Sequence, residues 1–171
     1  MQHGGGPVNI TETTGLAVAA VYACVYKIAT TIASLRLEVV TKQGRNRVVD
    51  ESNPLHVLLT REANTDCSSY EFWEGITAHA VMYGAGFAYI ERNERGEPVG
   101  LRPLANDDVE QKRTKDGQMF YSVRRMGDVL PEHILHISNL FGLSPIRLHR
   151  QNISLSMAAK QYGNEFFGNG G

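Results

Sequence analysis

The apolar residues of this chain change their period along the sequence, and these changes limit the folds that it can adopt. Over residues 16–32 they recur at intervals of about 3.6 residues, as on one face of an amphipathic helix. Over residues 35–39 they alternate, which predicts a half-buried strand, and residues 44–46 predict a turn into a short return strand at residues 47–49. The chain therefore opens with a helix and a hairpin.

Two further helices are marked by the residues at which they begin. Asn53 followed by Pro54 is typical of an N-cap and the first position of a short helix. Ser68 and Glu71 form a capping box ahead of an apolar stripe, and Gly84 predicts where that helix ends.

The middle of the sequence favours antiparallel strands. Apolar alternation flanks a turn at residues 93–96, and Asp116-Gly117 predicts a second hairpin between residues 109–112 and 119–123. A turn at Pro131 leads into another short strand.

Ser144-Pro145 predicts the start of a last helix over residues 145–167. Because regular βαβ alternation is absent, the predicted fold class is α+β, with mostly antiparallel strands and hairpins flanked by helices. Residues 1–14, rich in Gly and Thr, are expected to form a flexible arm, and residues 15–171 a single domain.

The charge balance excludes a strong overall attraction to polyanions. The chain has 17 Lys+Arg and 18 Asp+Glu, a formal net charge of -1. The longest mainly apolar stretch, residues 16–37, contains Lys27 and Arg36, so we expect no membrane span, and the N-terminus lacks the pattern of a secretion signal. Cys24 and Cys67 occur singly and are expected to be buried, reduced thiols.

Histidines offer the one candidate metal site. His133 and His136 have an HxxH spacing, and His149 could be a third ligand. The surrounding pattern favours a strand, which would turn the first two imidazoles to opposite faces. We therefore predict no metal, no cofactor and no catalytic residue, and expect a protein that is not an enzyme; a metal-dependent hydrolase using these three histidines is the alternative.

Basic residues cluster around the predicted hairpin at Asp116-Gly117. Five of them lie within fourteen positions: Lys112, Arg113, Lys115, Arg124 and Arg125. A hairpin tip could present them to a phosphate backbone or an acidic partner. As strand and turn charges they equally suit protection of a sheet edge or a bridge to a neighbouring subunit. Readout of base sequence is not expected, because a hairpin of this kind has no recognition helix.

Several motifs, taken in order, resemble the HK97-type portal proteins of tailed bacteriophages. The run LAVAAVYACVYKIATTIASLRL at residues 16–37 is similar to the opening helix and strand of that family. Further similar segments are NPL at 53–55, AN at 63–64, SSYEFWE at 68–74, YGAGFAY at 83–89, GEPVGLRPL at 96–104, VLPEHILHI at 129–137, GLSPI at 142–146 and FFGNG at 166–170.

The resemblance implies a structural subunit of a ring, usually dodecameric, at one vertex of the capsid. Through such a ring the terminase pumps DNA, and head-tail connector or adaptor proteins attach to it. The implied partners are copies of the chain itself, the major capsid protein, terminase, the connector and, non-specifically, double-stranded DNA, with no membrane. The implied location is the portal vertex of the virion, reached after assembly in the host cytoplasm.

Two departures from the family pattern limit the resemblance. Family members are about twice as long or more, and the similarity ends at residue 170, so the chain is expected to supply mainly the outer wing region. The loop between Ile137 and Gly142 is also shorter than usual, which predicts missing residues there or a natural deletion. We expect the helices at 16–33 and 145–167 to bury one face each, in the fold or against the next subunit, with Ile28 and Phe166 on those faces.

Overall fold

The computed structural model describes residues 11, 14 and 18–168, the side chains of residues 165 and 167 excepted. The predicted arm, residues 1–14, lies outside these residues but for positions 11 and 14. The helices are α1 Ala19–Ala33, α2 Pro54–Thr60, α3 Ser69–Tyr83, α4 Pro145–Leu148 and α5 Arg150–Gly168. The strands are β1 Val40–Gln43, β2 Asn46–Val49, β3 Glu62–Asn64, β4 Cys67–Ser68, β5 Ala85–Arg92, β6 Pro98–Leu104, β7 Val109–Arg113, β8 Met119–Val123, β9 Gly127–Val129 and β10 Ile134–Ser138.

The main sheet has the antiparallel order β10-β5-β6 and packs against α3. Phe72 and Ile76 of α3 meet Ala88 of β5 and Leu101 of β6 in its core. A second antiparallel sheet, β7-β8-β9, shares a core with the first through Phe87 and other apolar residues: Tyr121, Val123, Val129 and Ile134. This architecture confirms the predicted α+β class.

Local signals in the sequence place α2 and α3 correctly. Asn53 Oδ1 accepts a hydrogen bond of 3.0 Å from the N–H of Leu55, as an N-cap does. The Ser68 hydroxyl accepts from the N–H of Glu71 and the Glu71 carboxylate accepts from the N–H of Ser68, which confirms the capping box. The N–H and the hydroxyl of Ser68 both donate to the Glu71 carboxylate, which lowers the pKa of Glu71. Gly84 ends α3 with φ of 98°.

The first helix is confirmed, but its buried face differs from the expected one. Val25, Ala29 and Ala33 are buried, at spacings of four residues that place them on one stripe facing α3. Ile28 is 45% exposed because it lies beside this stripe. The fold therefore does not bury it, and its burial against the next subunit stays a prediction. Cys24 is exposed and Cys67 half-buried, which corrects the expectation of two buried thiols.

The first hairpin begins later than predicted and is not half-buried. Residues 36–39 have no strand pairing, and β1 begins at Val40. All eight residues of β1 and β2 are exposed. The alternation of apolar residues anticipates a buried face, but every strand residue is exposed, so within the described part of the chain nothing covers that face.

The last predicted helix is divided at His149. α4 ends at Leu148, and His149 has φ of -104° and ψ of 18°, outside the helical range, before α5 begins at Arg150. The prediction of one helix over residues 145–167 is therefore wrong at this point. Phe166 on α5 is 54% exposed, so the fold does not bury it, and its burial against the next subunit stays a prediction. Among the described residues, no helix is long and apolar enough to cross a membrane.

Candidate functional site

The structure separates the five basic residues singled out in the sequence into two groups. Lys112 and Arg113 lie at the end of β7 and Lys115 in the turn that follows. Arg124 and Arg125 follow β8, beyond the Val109–Val123 pair at the other end of the ladder. Four strand residues separate the two ends, about 13 Å at 3.3 Å per residue. The five side chains therefore do not converge on one binding site.

Two of the five cations in this region form ion pairs, and a third bonds a backbone carbonyl. Lys112 Nζ lies 3.0 Å from Glu110 Oε2, and Arg124 Nη1 lies 3.2 Å from Asp108 Oδ1. Arg113 donates to the carbonyl of Gly117 in its own turn. Residues 107–128 contain as many acidic as basic residues, so this sheet offers no net positive field.

The three histidines of the candidate metal site lie in different environments. His136 on β10 shares a hydrogen bond of 3.0 Å between its Nδ1 and the Tyr121 hydroxyl, and burial lowers its pKa. His133 stacks on the ring of Tyr89, and exposed His149 separates α4 from α5. Within the described part of the chain, no group of three His, Cys, Asp or Glu side chains could hold a metal ion.

A long apolar groove lies between α1 and the last two helices. It has a volume of about 390 Å³ and is lined by Ala20, Val21, Cys24, Val25, Ile28, Val81, Pro145, Ile146, His149 and Ile153. The same two helices also carry stacked, exposed aromatic pairs outside the lining of the groove, Tyr22 with Tyr26 on α1 and Tyr162 with Phe166 on α5. Exposed aromatic and apolar groups in such a concentration are typical of an interaction surface.

The short loop before α4 extends this apolar surface. Asn139 Oδ1 accepts hydrogen bonds from the N–H groups of Phe141 and Leu143, and its Nδ2 donates to the carbonyl of Leu143. The loop is thereby closed into a tight turn. Its apolar side chains point outward, since Leu140 is 86% and Phe141 76% exposed.

The family model for the phage portal protein matches residues 19–171. The chain belongs to the phage portal protein family. The portal protein of Enterobacteria phage HK97 is 33% identical over 174 residues, covering 96% of this chain and 41% of that relative. The chain thus spans less than half the length of this curated portal protein.

Two solved structures share the portal fold with this chain. A HK97 family phage portal protein from Corynebacterium diphtheriae has a TM-score of 0.65 and 15% identity, covering 93% of this chain and 52% of that one. A chain from the neck of an empty GTA (gene transfer agent) particle computed with C6 symmetry has a TM-score of 0.77 and 21% identity, covering 96% and 50%. The expected family is confirmed, and the metal-dependent hydrolase using His133, His136 and His149 is not supported.

The first hairpin of this portal chain is a candidate site that the sequence pattern did not predict. The first hairpin carries Lys42, Arg45 and Arg47, and no acidic residue lies between positions 39 and 49. The hairpin at Asp116-Gly117 has more basic residues, but as many acidic residues lie beside them. The absence of acidic neighbours is the sequence signal that favours the first hairpin.

Proposed function

We propose that this chain forms the wing region of a portal subunit, a structural component of a ring at one capsid vertex through which DNA is packaged and ejected. The match of residues 19–171 to the portal family carries this proposal. Residues 15–171 form the wing domain in this account, preceded by an arm. The subunit guides DNA and makes no covalent change to it, so we assign it no catalytic residue.

The apolar surface supports assembly with further copies. A ring with cyclic symmetry joins one patch of each subunit to a different patch of the next. The groove beside Ile28 and the outward-pointing loop at Phe141 supply apolar area for such contacts. We propose twelve subunits, as in the structure of a native GTA particle neck computed with C12 symmetry, to which this chain is similar.

The remaining partners follow from the same proposal. The outer surface would meet the major capsid protein, and the assembled ring would bind the terminase during packaging and the head-tail connector afterwards. The ring would assemble in the host cytoplasm and remain in the virion. Lys115 and Arg125, which form no ion pair within residues 18–168, are proposed to make weak contacts with DNA or with the next subunit.

The mass of the complete gene product in solution tests the proposal. Light scattering should give about twelve times the subunit mass, the ratio set by the C12 neck. Replacing Ile28 with Asp should lower the assembled fraction, while Val99→Asp, at a 52% exposed position outside the groove, should not. A monomer under all conditions would contradict the ring.

The basic residues near the Asp116-Gly117 turn need a separate test. Charge reversal at Lys112, Arg113 and Lys115 should slow DNA packaging if these side chains contact DNA, provided that rings form first. Normal packaging by such rings would remove the proposed DNA contact and leave edge protection or subunit bridging as their role.

A further inference from the structure

The hairpin formed by β1 and β2 carries three basic side chains that form no ion pair within the described residues. Lys42, Arg45 and Arg47 are all exposed, and none forms an ion pair or a side-chain hydrogen bond with any residue of the described chain. The basic residue that precedes the hairpin in the sequence, Arg36, is paired with Glu38 at 3.2 Å. The hairpin at Asp116-Gly117 differs, since carboxylates there pair with Lys112 and Arg124.

The register of the hairpin places two of these cations opposite each other. Lys42 pairs with Arg47 across the ladder, so both side chains project from the same face. Like charges directly opposite each other destabilise a strand pair. An anion bound between the two side chains would offset their repulsion, because it attracts both of them. Both side chains only donate hydrogen bonds, and phosphate oxygens only accept them, so a phosphate is a suitable anion.

The hairpin also stands apart from the core. Each of its strand residues is exposed, and an isolated two-stranded hairpin is only marginally stable in water. The Gly44 turn, with φ of 64°, leaves Arg45 at the tip of the hairpin, beyond the last strand pair of Gln43 and Asn46. The hairpin is therefore narrow, rich in hydrogen-bond donors and open to a partner on both faces.

We propose that the β1–β2 hairpin is a contact for the phosphate backbone of duplex DNA, bound without regard to base sequence. A duplex carries one charge about every 1.7 Å of its axis, denser than the spacing of about 3.3 Å between residues of an extended protein chain, so it can engage closely spaced cations together. A two-stranded ribbon is also narrow enough to enter the major groove. The choice of duplex DNA rests on the proposed portal function.

Anisotropy titrations of a labelled 30-base-pair duplex with this chain test the contact over a series of salt concentrations. Three phosphate contacts contribute a slope of about -2.7 to log K against log salt, so affinity should fall about 40-fold between 50 and 200 mM. A variant with Lys42→Gln, Arg45→Gln and Arg47→Gln should lose this slope. The matched control, Lys112→Gln, Arg113→Gln and Arg124→Gln, removes the same formal charge from side chains that already have partners and should lose less than half as much.

Three results would overturn the proposal: no salt-dependent binding by the unaltered chain at 50 mM salt, an unchanged slope in the first variant, or equal losses in both. Displacement of the duplex by poly-L-glutamate at equal charge concentration would instead assign the hairpin to an acidic protein. If the triple variant does not fold, Arg45→Gln alone should reduce the slope by about 0.9. A ring of the complete gene product that forms despite these failures would leave the proposed function intact.

Discussion

The hydroxyl of Ser144 joins the start of the last helical segment to the end of α3. Its Oγ donates a hydrogen bond of 2.5 Å to the carbonyl of Met82 and accepts one of 3.2 Å from the N–H of Arg147. Ser144 is only 5% exposed. One side chain thus caps α4 and fixes its position on the core, and with it one wall of the apolar groove.

Removing this hydroxyl should destabilise the fold. Ser144→Ala loses an N-cap and leaves the buried carbonyl of Met82 without this donor, which together should lower the free energy of unfolding by about 1–3 kcal/mol. Urea denaturation measures the change. Ser156→Ala removes a hydroxyl that bonds only within exposed α5, so it should change the free energy by less than about 0.5 kcal/mol. Equal effects would contradict the bridging role.

Gly84 should tolerate no side chain. A methyl group there would lie 2.7 Å from the carbonyl carbon of Gly142, and the φ of 98° is itself unfavourable for other residues. Gly84→Ala should therefore cost about 2–4 kcal/mol from strain and overpacking. Gly96 is the matched control, because it has φ of 79° but no atom within 4 Å of the added methyl. Gly96→Ala therefore measures the cost of the backbone strain alone, which should be about 1 kcal/mol. Similar melting temperatures for the two variants would show that α3 and the loop are not in close contact.

Neighbouring positions on α1 should separate folding from assembly. Ala29 is 2% exposed, so Ala29→Asp would bury a carboxylate and should prevent folding. Ile28→Asp places its charge at a 45% exposed position and should retain cooperative thermal unfolding. Circular dichroism melts distinguish the two variants, and loss of folded protein in both would restore the expectation that Ile28 belongs to the core.

As the pH is lowered, protonation of His136 should destabilise the fold at a higher pH than protonation of Glu71. Burial holds the pKa of His136 below its usual 6.5, so the unfolded chain binds more protons as the pH falls through and below 6.5. Stability is therefore greatest above pH 6.5 and declines toward the pKa of the folded state. Urea denaturation at pH 7.5 and 5.5 should show this decline, and His136→Gln should reduce it. An unchanged difference in the variant would assign the decline to other groups.

Local signals predicted the helix starts and the turns well, because those signals are local in physical origin. The capping box at Ser68, the stop at Gly84 and the turn at Asp116-Gly117 depend on residues within a few positions of each other. The break at His149 has no Gly or Pro to mark it in the sequence, so the local pattern predicts a continuous helix there.

Burial and charge pairing were harder to predict from the sequence, because both depend on elements that are distant from each other in the chain. The apolar pattern of α1 includes both Ile28 and Ala29, and only the position of α3 decides which of them is covered. The basic residues at 112–125 form a cluster in sequence, but the strand ladder separates them and pairs Arg124 with Asp108. The family resemblance identified the protein class, whereas the candidate contact at Lys42 and Arg47 emerged from the structure.

Electron microscopy of the complete gene product tests the central claim most directly. If the chain belongs to a portal subunit, purified particles should be closed rings with a central hole wide enough for duplex DNA, and class averages should show cyclic symmetry. Ile28→Asp should reduce the number of rings without unfolding the subunit. Uniform monomers, or assemblies without a central channel, would contradict the account.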